Sequence, residues 1–207
     1  MAILGRGQLN LSSDEREQLF LLSWTDMAGD RLRTELSEDG LITERGAQLF
    51  LTGLFDRLRG ICRDVFEAEK TVRMVEAEPI LSLDPKIATR QQREAASERL
   101  LRELTLSDGA CVFAKYPPLR GLLDRLTERF IETGKEFFAR LRHDRAEICR
   151  HFFGTEPFGL ITRIICSQSD LHFHGRRTFV VEAEKGRFIY RPRDCRIDVL
   201  ARELVAA

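Results

Sequence analysis

No stretch of this 207-residue chain approaches the roughly 20 apolar residues needed to cross a bilayer. The first ten residues also lack the apolar run of a secretory signal. Charge of one sign is missing too: Lys plus Arg and Asp plus Glu each number 33. A general nucleic-acid binder needs an excess of cations to displace counterions from phosphates, so none is expected here. The five cysteines (Cys62, Cys111, Cys149, Cys166 and Cys195) form no C-x-x-C pair. An odd, scattered set reads as reduced thiols in a cytoplasmic, soluble protein. Cys62 and Cys149 sit on apolar helical faces, as small core residues do. Neither G-x-G-x-x-G nor a P-loop is present, so no standard phosphate cradle exists.

What the chain does have is helical periodicity over most of its length. Ser12-Ser13-Asp14-Glu15 has capping-box spacing and predicts a helix running to about Leu36. A second helix begins near Thr43, where Leu51, Leu54, Phe55, Leu58, Ile61, Cys62, Val65 and Phe66 recur at three- and four-residue intervals. Two prolines break the pattern between Glu78 and Pro85. A polar helix is expected from Lys86 to Leu104, and a long one from about Leu119 to Phe152, with Gly134 near its middle.

The character changes after Gly154. Leu160–Cys166 is a short apolar run that fits either helix or strand. Thr178–Glu184 alternates, with Phe179, Val181 and Ala183 on one side, and predicts a strand. Glu184-Lys185-Gly186 reads as a hairpin turn and Arg187–Arg191 as the return strand, which Pro192 limits. A two-stranded ribbon is marginal alone and must lean on other elements. The expected fold class is therefore α+β and predominantly helical: a helical region over residues 1–154, then the opening of a smaller unit over 155–207.

The candidate chemistry lies in that second region. Asp170 and His172 share a loop, and a carboxylate can orient an imidazole that moves protons near neutral pH. Taken as a pair alone, they are better read as a polar loop in which Asp170 caps a turn. His172 and His174, one residue apart with no second cluster, make no metal or zinc site. Arg191-Pro192-Arg193 ends a strand with two rigid guanidinium forks suited to phosphate. The competing reading pairs such arginines with Glu182 or Glu184 across the hairpin.

The segment from about Tyr116 to Leu204 resembles the dehydratase domain of class II lanthipeptide synthetases, the LanM type. The resemblance rests on an ordered set: Tyr116-Pro117-Pro118-Leu119 opening a long helix, Ser169-Asp170-Leu171-His172 with Gly175-Arg176, a hairpin ending in Tyr190-Arg191-Pro192-Arg193, and Ile197-Asp198. It implies a kinase-like unit related in fold to lipid kinases. Such enzymes use ATP and magnesium to phosphorylate serine and threonine of a precursor peptide, then eliminate phosphate to give dehydroamino acids. By motif match, Asp170 and His172 take catalytic positions. Arg191 takes that of a lysine expected to touch ATP phosphates, with Gly175 and Arg176 beside it in cofactor binding. Arg191 replaces that lysine, and Phe173-His174 stands where the family has a small, asparagine- and glycine-rich turn.

Against that resemblance the chain reads as truncated at Ala207, before the magnesium-binding residues of the family and its zinc cyclase. It is then expected to be inactive alone, or completed by a complementary dehydratase or cyclase chain. The alternative expectation is a non-catalytic helical module that holds a peptide or protein on the stripes Leu51–Phe66 and Leu122–Phe152.

Overall fold

The computed structural model describes residues 19–37, 40–154, 156–166 and 178–191. They form six α-helices, several short 3-10 turns and a three-stranded antiparallel sheet. The chain is α+β and mostly helical, as its periodicity predicts. It divides into two compact units, one of Met1–Leu32 with Leu51–Ile131, the other of Arg33–Phe50 with Glu132–Ala207.

In the first unit a 3-10 turn, Leu19–Leu21, leads into α1 (Leu22–Arg31). The proposed capping box at Ser12 lies outside the described residues. The single helix expected to reach Leu36 is broken: Leu32 leaves helical geometry at φ −101° and ψ 5°, and a separate short helix, α2 (Arg33–Ser37), follows in the second unit. Helix α3 (Glu44–Ala77) is one continuous helix of 34 residues. Its stripe Leu51, Leu54, Leu58, Cys62 and Phe66 is buried to 1% exposure or less. These residues are spent on the chain's own core. The same holds for Leu126, Phe137, Leu141 and Ile148 on the last long helix, whereas Leu122 and Phe152 of that stripe are exposed.

Helix α4 (Arg90–Ser107) starts four residues later than the polar pattern suggests. Thr89 explains the shift. Its Oγ1 accepts from Gln92 N at 3.3 Å while Gln92 Oε1 accepts from Thr89 N at 2.6 Å, a complete capping box. The preceding Pro85–Ile87 is a 3-10 turn. Helix α4 ends at Asp108 (φ 48°) and Gly109 (φ 78°), where Gly109 N reaches Leu104 O at 3.0 Å. A side chain at Gly109 would press on Phe113 and Phe20 at 2.9 and 3.2 Å, so glycine is needed there on two counts. Helix α5 (Ala110–Lys115) follows, and α6 (Pro117–Phe152) then runs without interruption through Gly134. An edge-to-face cluster of Phe20, Phe66, Phe113 and Trp24 fills the end of this unit. The Trp24 indole donates to Asp124 at 2.8 Å.

In the second unit the run that fitted helix or strand is β1 (Ile161–Cys166). It pairs with β2 (Phe179–Ala183), which pairs with β3 (Gly186–Tyr190), both antiparallel. The hairpin loop is two residues long, Glu184 and Lys185, closed by Ala183↔Gly186. One face of the sheet buries Ile161, Ile164, Phe179, Val181 and Phe188. Phe137 of α6 lies 4.3 Å from Phe179 and 5.5 Å from Tyr190 between ring centres, so the ribbon leans on the last helix. The other end of the sheet is tied to the start of α3: Ile161 N donates to Leu41 O and Thr43 N to Ile161 O, each at 2.9 Å.

Candidate functional site

Strand alternation sorts the sheet into two faces. Phe188 and Tyr190 point with the buried residues. Arg187, Ile189 and, one residue beyond the strand, Arg191 belong to the opposite face, where all three are exposed. Ile165, Val180 and Ile189 are directly opposed across the three strands and form an apolar row on that face. The next outward row toward the hairpin is charged: Arg163, Glu182 and Arg187 stand opposite one another. Glu182 thus faces Arg187 in register, while Glu184 accepts from Leu160 N at 3.0 Å. The expected cross-hairpin pairing therefore applies by register to Arg187.

Arg191 stands at the other end of the sheet. There the register runs Cys166↔Phe179↔Tyr190. Strands are about 4.8 Å apart, so the end of β1 and the end of β3 are about 10 Å apart. The connection that carries Asp170, His172, Gly175 and Arg176 leaves the sheet at Cys166 and rejoins it at Thr178. Its two ends thus meet the sheet at the end where Arg191 emerges. Asp170, His172, Gly175, Arg176 and Arg193 themselves lie outside the described residues.

Two residues at this end were not legible as site components. Tyr190 is hydrogen-bonded to Arg140 and Asp144 of α6. Burial, followed by the nearby Asp144 carboxylate, pushes its hydroxyl above the usual tyrosine range. The signal in the sequence is the four-residue spacing of Arg140 and Asp144 on one helical face, which surface pairs share.

A second polar constellation lies in the first unit. Glu69 is 1% exposed and Arg73 4%. Glu69 Oε2 accepts from Arg73 Nη1 at 2.7 Å and from Lys115 Nζ at 2.8 Å, and Oε1 accepts from Tyr116 Oη at 3.1 Å. Arg73 also pairs with Glu103, which Arg99 reaches at 3.1 Å. Burial alone would favour the neutral Glu69 carboxyl. The hydrogen bonds from Lys115 and Arg73 outweigh it and hold the group below the usual carboxylate range. A buried carboxylate held by three donors serves the fold: it ties α3 to the end of α5 and, through Arg73 and Glu103, to α4. Sequence reading missed it because a buried Glu69–Arg73 pair looks the same on paper as a solvated one. Among the described residues no group of three His, Cys, Asp or Glu side chains is placed to hold a metal, and no helix is long and apolar enough to cross a membrane.

Residues 116–207 match the family model of a domain of unknown function, DUF4135. That domain family is associated with lanthipeptide synthetases. The match begins at Tyr116, the tyrosine that opens the ordered motif set and that bonds Glu69. Comparison with curated proteins gives no match.

Proposed function

We propose that the chain belongs to a lanthipeptide dehydratase of the LanM type, a kinase-like enzyme that phosphorylates serine and threonine of a precursor peptide with ATP and eliminates the phosphate. One observation carries the reading. The register Cys166↔Phe179↔Tyr190 brings both ends of the Asp170–Arg176 connection to the end of the sheet from which Arg191 emerges. The strand ends that flank the Asp170–Arg176 connection and the strand end that carries Arg191, 15 to 21 residues away in sequence, thus share one end of the sheet.

Bound ATP supplies the phosphoryl group in this reading. The exposed Arg191 guanidinium takes its phosphates, since a planar fork matches phosphate oxygens bidentately. The apolar row Ile165, Val180 and Ile189 lies on the same face and offers a flat surface for the base. Asp170 and His172 handle the proton of the peptide hydroxyl, with Gly175 and Arg176 beside the phosphates. Arg191 is the described residue offered to the nucleotide in this reading, and among the described residues none is assigned to magnesium. Phosphoryl transfer rests on positioning and charge neutralisation, which makes Arg191 the residue to test.

The experiment is a titration of the chain with a fluorescent ATP analogue in the presence of magnesium. Saturable binding is expected, weakened about tenfold or more by Arg191→Ala, the loss of one charge-assisted contact, and largely kept by Arg191→Lys. Binding that ignores Arg191→Ala, or no binding at all, would overturn the reading.

A further inference from the structure

The first unit carries a surface that includes none of the residues offered for nucleotide chemistry. The connection between α3 and α4 makes two 3-10 turns, Pro79–Ser82 and Pro85–Ile87. Leu81 is buried there, in a small core with Met74, Ala88 and Ala96. Ile80, Leu83 and Ile87 instead face outward, at 61%, 80% and 63% exposure. Single exposed apolar residues are ordinary, but here three fall within eight positions of one short connection. That connection is held in place. Arg93 Nη2 donates to Lys86 O at 2.9 Å and to Ala88 O at 3.0 Å, Asp84 accepts from Lys86 N at 3.0 Å, and Gln92 Nε2 bonds Glu78 at 2.6 Å. The outward apolar residues are therefore presented on a fixed turn.

Beside the patch is a cavity of about 550 Å³ whose lining includes Pro85 and Lys86 of the same connection. Four cations line it, Lys70, Lys86, Arg90 and Arg93, against two carboxylates, Glu67 and Glu94. Both carboxylates are already taken: Lys70 pairs with Glu67 and Arg90 with Glu94, each at 2.6 Å. The lining thus keeps an excess of positive charge at Lys86 and Arg93, in a chain whose net charge is zero.

We propose that this cavity and the apolar turn beside it form a docking site for an acidic, amphipathic segment of a partner polypeptide. Carboxylates of the segment enter the cavity toward Lys86 and Arg93, and its apolar side chains cover Ile80, Leu83 and Ile87. Concavity argues for a polypeptide over an anionic membrane, because a bilayer surface cannot fill a recess between two helices. Charge argues for an acidic segment over a basic or neutral one.

The test pans a random 15-residue peptide display library against the full chain, with counter-selection on a Leu83→Ser/Lys86→Glu double variant. Both side chains are outside the core, so the variant should match the parent in circular dichroism and melting temperature. The expected yield is peptides rich in Asp or Glu together with Leu, Ile or Phe. Fluorescence anisotropy on one such peptide should show at least roughly tenfold weaker binding to either single variant. No enrichment over the counter-selected pool, enrichment of basic peptides, or equal binding to the variants would overturn the proposal. So would sedimentation with phosphatidylglycerol vesicles that the same variants abolish, which would make the surface a lipid-facing one.

Discussion

Tyr116 Oη donates to Glu69 Oε1 at 3.1 Å, so the first residue of the family match is bonded to a helix that lies wholly before it in sequence. With Lys115 on the other carboxylate oxygen and Arg73 bridging to Glu103, the bond belongs to a relay of alternating charge whose centre, Glu69 and Arg73, is buried. Removing Glu69 leaves the buried Arg73 guanidinium with Glu103 as its remaining carboxylate partner. Glu69→Ala is expected to cost about 3–5 kcal/mol. Tyr116→Phe removes one hydrogen bond to a charged acceptor and should cost about 1–2 kcal/mol. The double variant should lose less than the sum, because the two share a contact. Urea unfolding of the set measures all three quantities. A loss below about 1 kcal/mol for Glu69→Ala would mean that water replaces the relay at no cost.

The same relay sets an acid limit on stability. Glu69 and Glu103 are both held below the ordinary glutamate value of 4.5: burial opposes this in each, and the cationic partners prevail. A carboxyl whose folded pKa is depressed contributes stability that is complete above its unfolded value. That contribution is lost as pH falls through the lower folded value. The urea midpoint should therefore hold steady from pH 7 to about 5 and decline below about 4.5. Glu69→Gln cannot titrate at that position, so its decline should be shallower. Parallel declines in the two proteins would place the acid sensitivity elsewhere.

Gly46, Gly53 and Gly60 are all glycines inside α3, and they are predicted to respond oppositely to alanine. A Cβ at Gly46 would stand 2.8 Å from Ile42 Cγ1, 2.9 Å from Ile161 O and 3.1 Å from Thr162 O. Ile42 can yield, but the two carbonyls belong to β1 where its register shifts between Ile161 and Arg163. Overpacking of about 1–3 kcal/mol should outweigh the roughly 1 kcal/mol that alanine gains in helix propensity. Gly53 and Gly60 have no atom within 4 Å of a built Cβ. Alanine there should stabilise, by up to about 1 kcal/mol each. Thermal melts of the three variants would settle the order, and a stabilising Gly46→Ala would mean that α3 does not approach β1 as described.

How far the sequence carried the fold depended on whether each signal was local. The stripe from Leu51 to Phe66 and the alternation from Phe179 to Val181 are periodic, so both elements were legible with their buried faces. The hairpin loop was placed to within a residue for the same reason. Ile161–Cys166 could not be assigned, because a short apolar run becomes a strand only through its partner β2. The break at Leu32 carries no proline or glycine and left no mark. At the candidate site, Arg191 was legible as a strand-end guanidinium, whereas Arg140 and Asp144 were not, since only folding brings α6 to Tyr190. The Glu69 relay was hidden similarly: its partners Glu103, Lys115 and Tyr116 lie 34 to 47 residues away.

Cys62 offers a chemical check on the core of the first unit. It is fully buried on the α3 stripe, and burial pushes its thiol up to about 12. At pH 8 only about one molecule in ten thousand would then carry the reactive thiolate, and no path to solvent serves it. Cys111 is only partly buried and provides the internal comparison. Iodoacetamide at pH 8 should alkylate Cys111 in the native protein while sparing Cys62, and denaturant should expose both, as followed by mass spectrometry of the corresponding peptides. Alkylation of Cys62 at the rate of Cys111 under native conditions would show that the stripe from Leu51 to Phe66 opens to solvent. In that case the helical pairing that supports the Glu69 relay would also have to be transient.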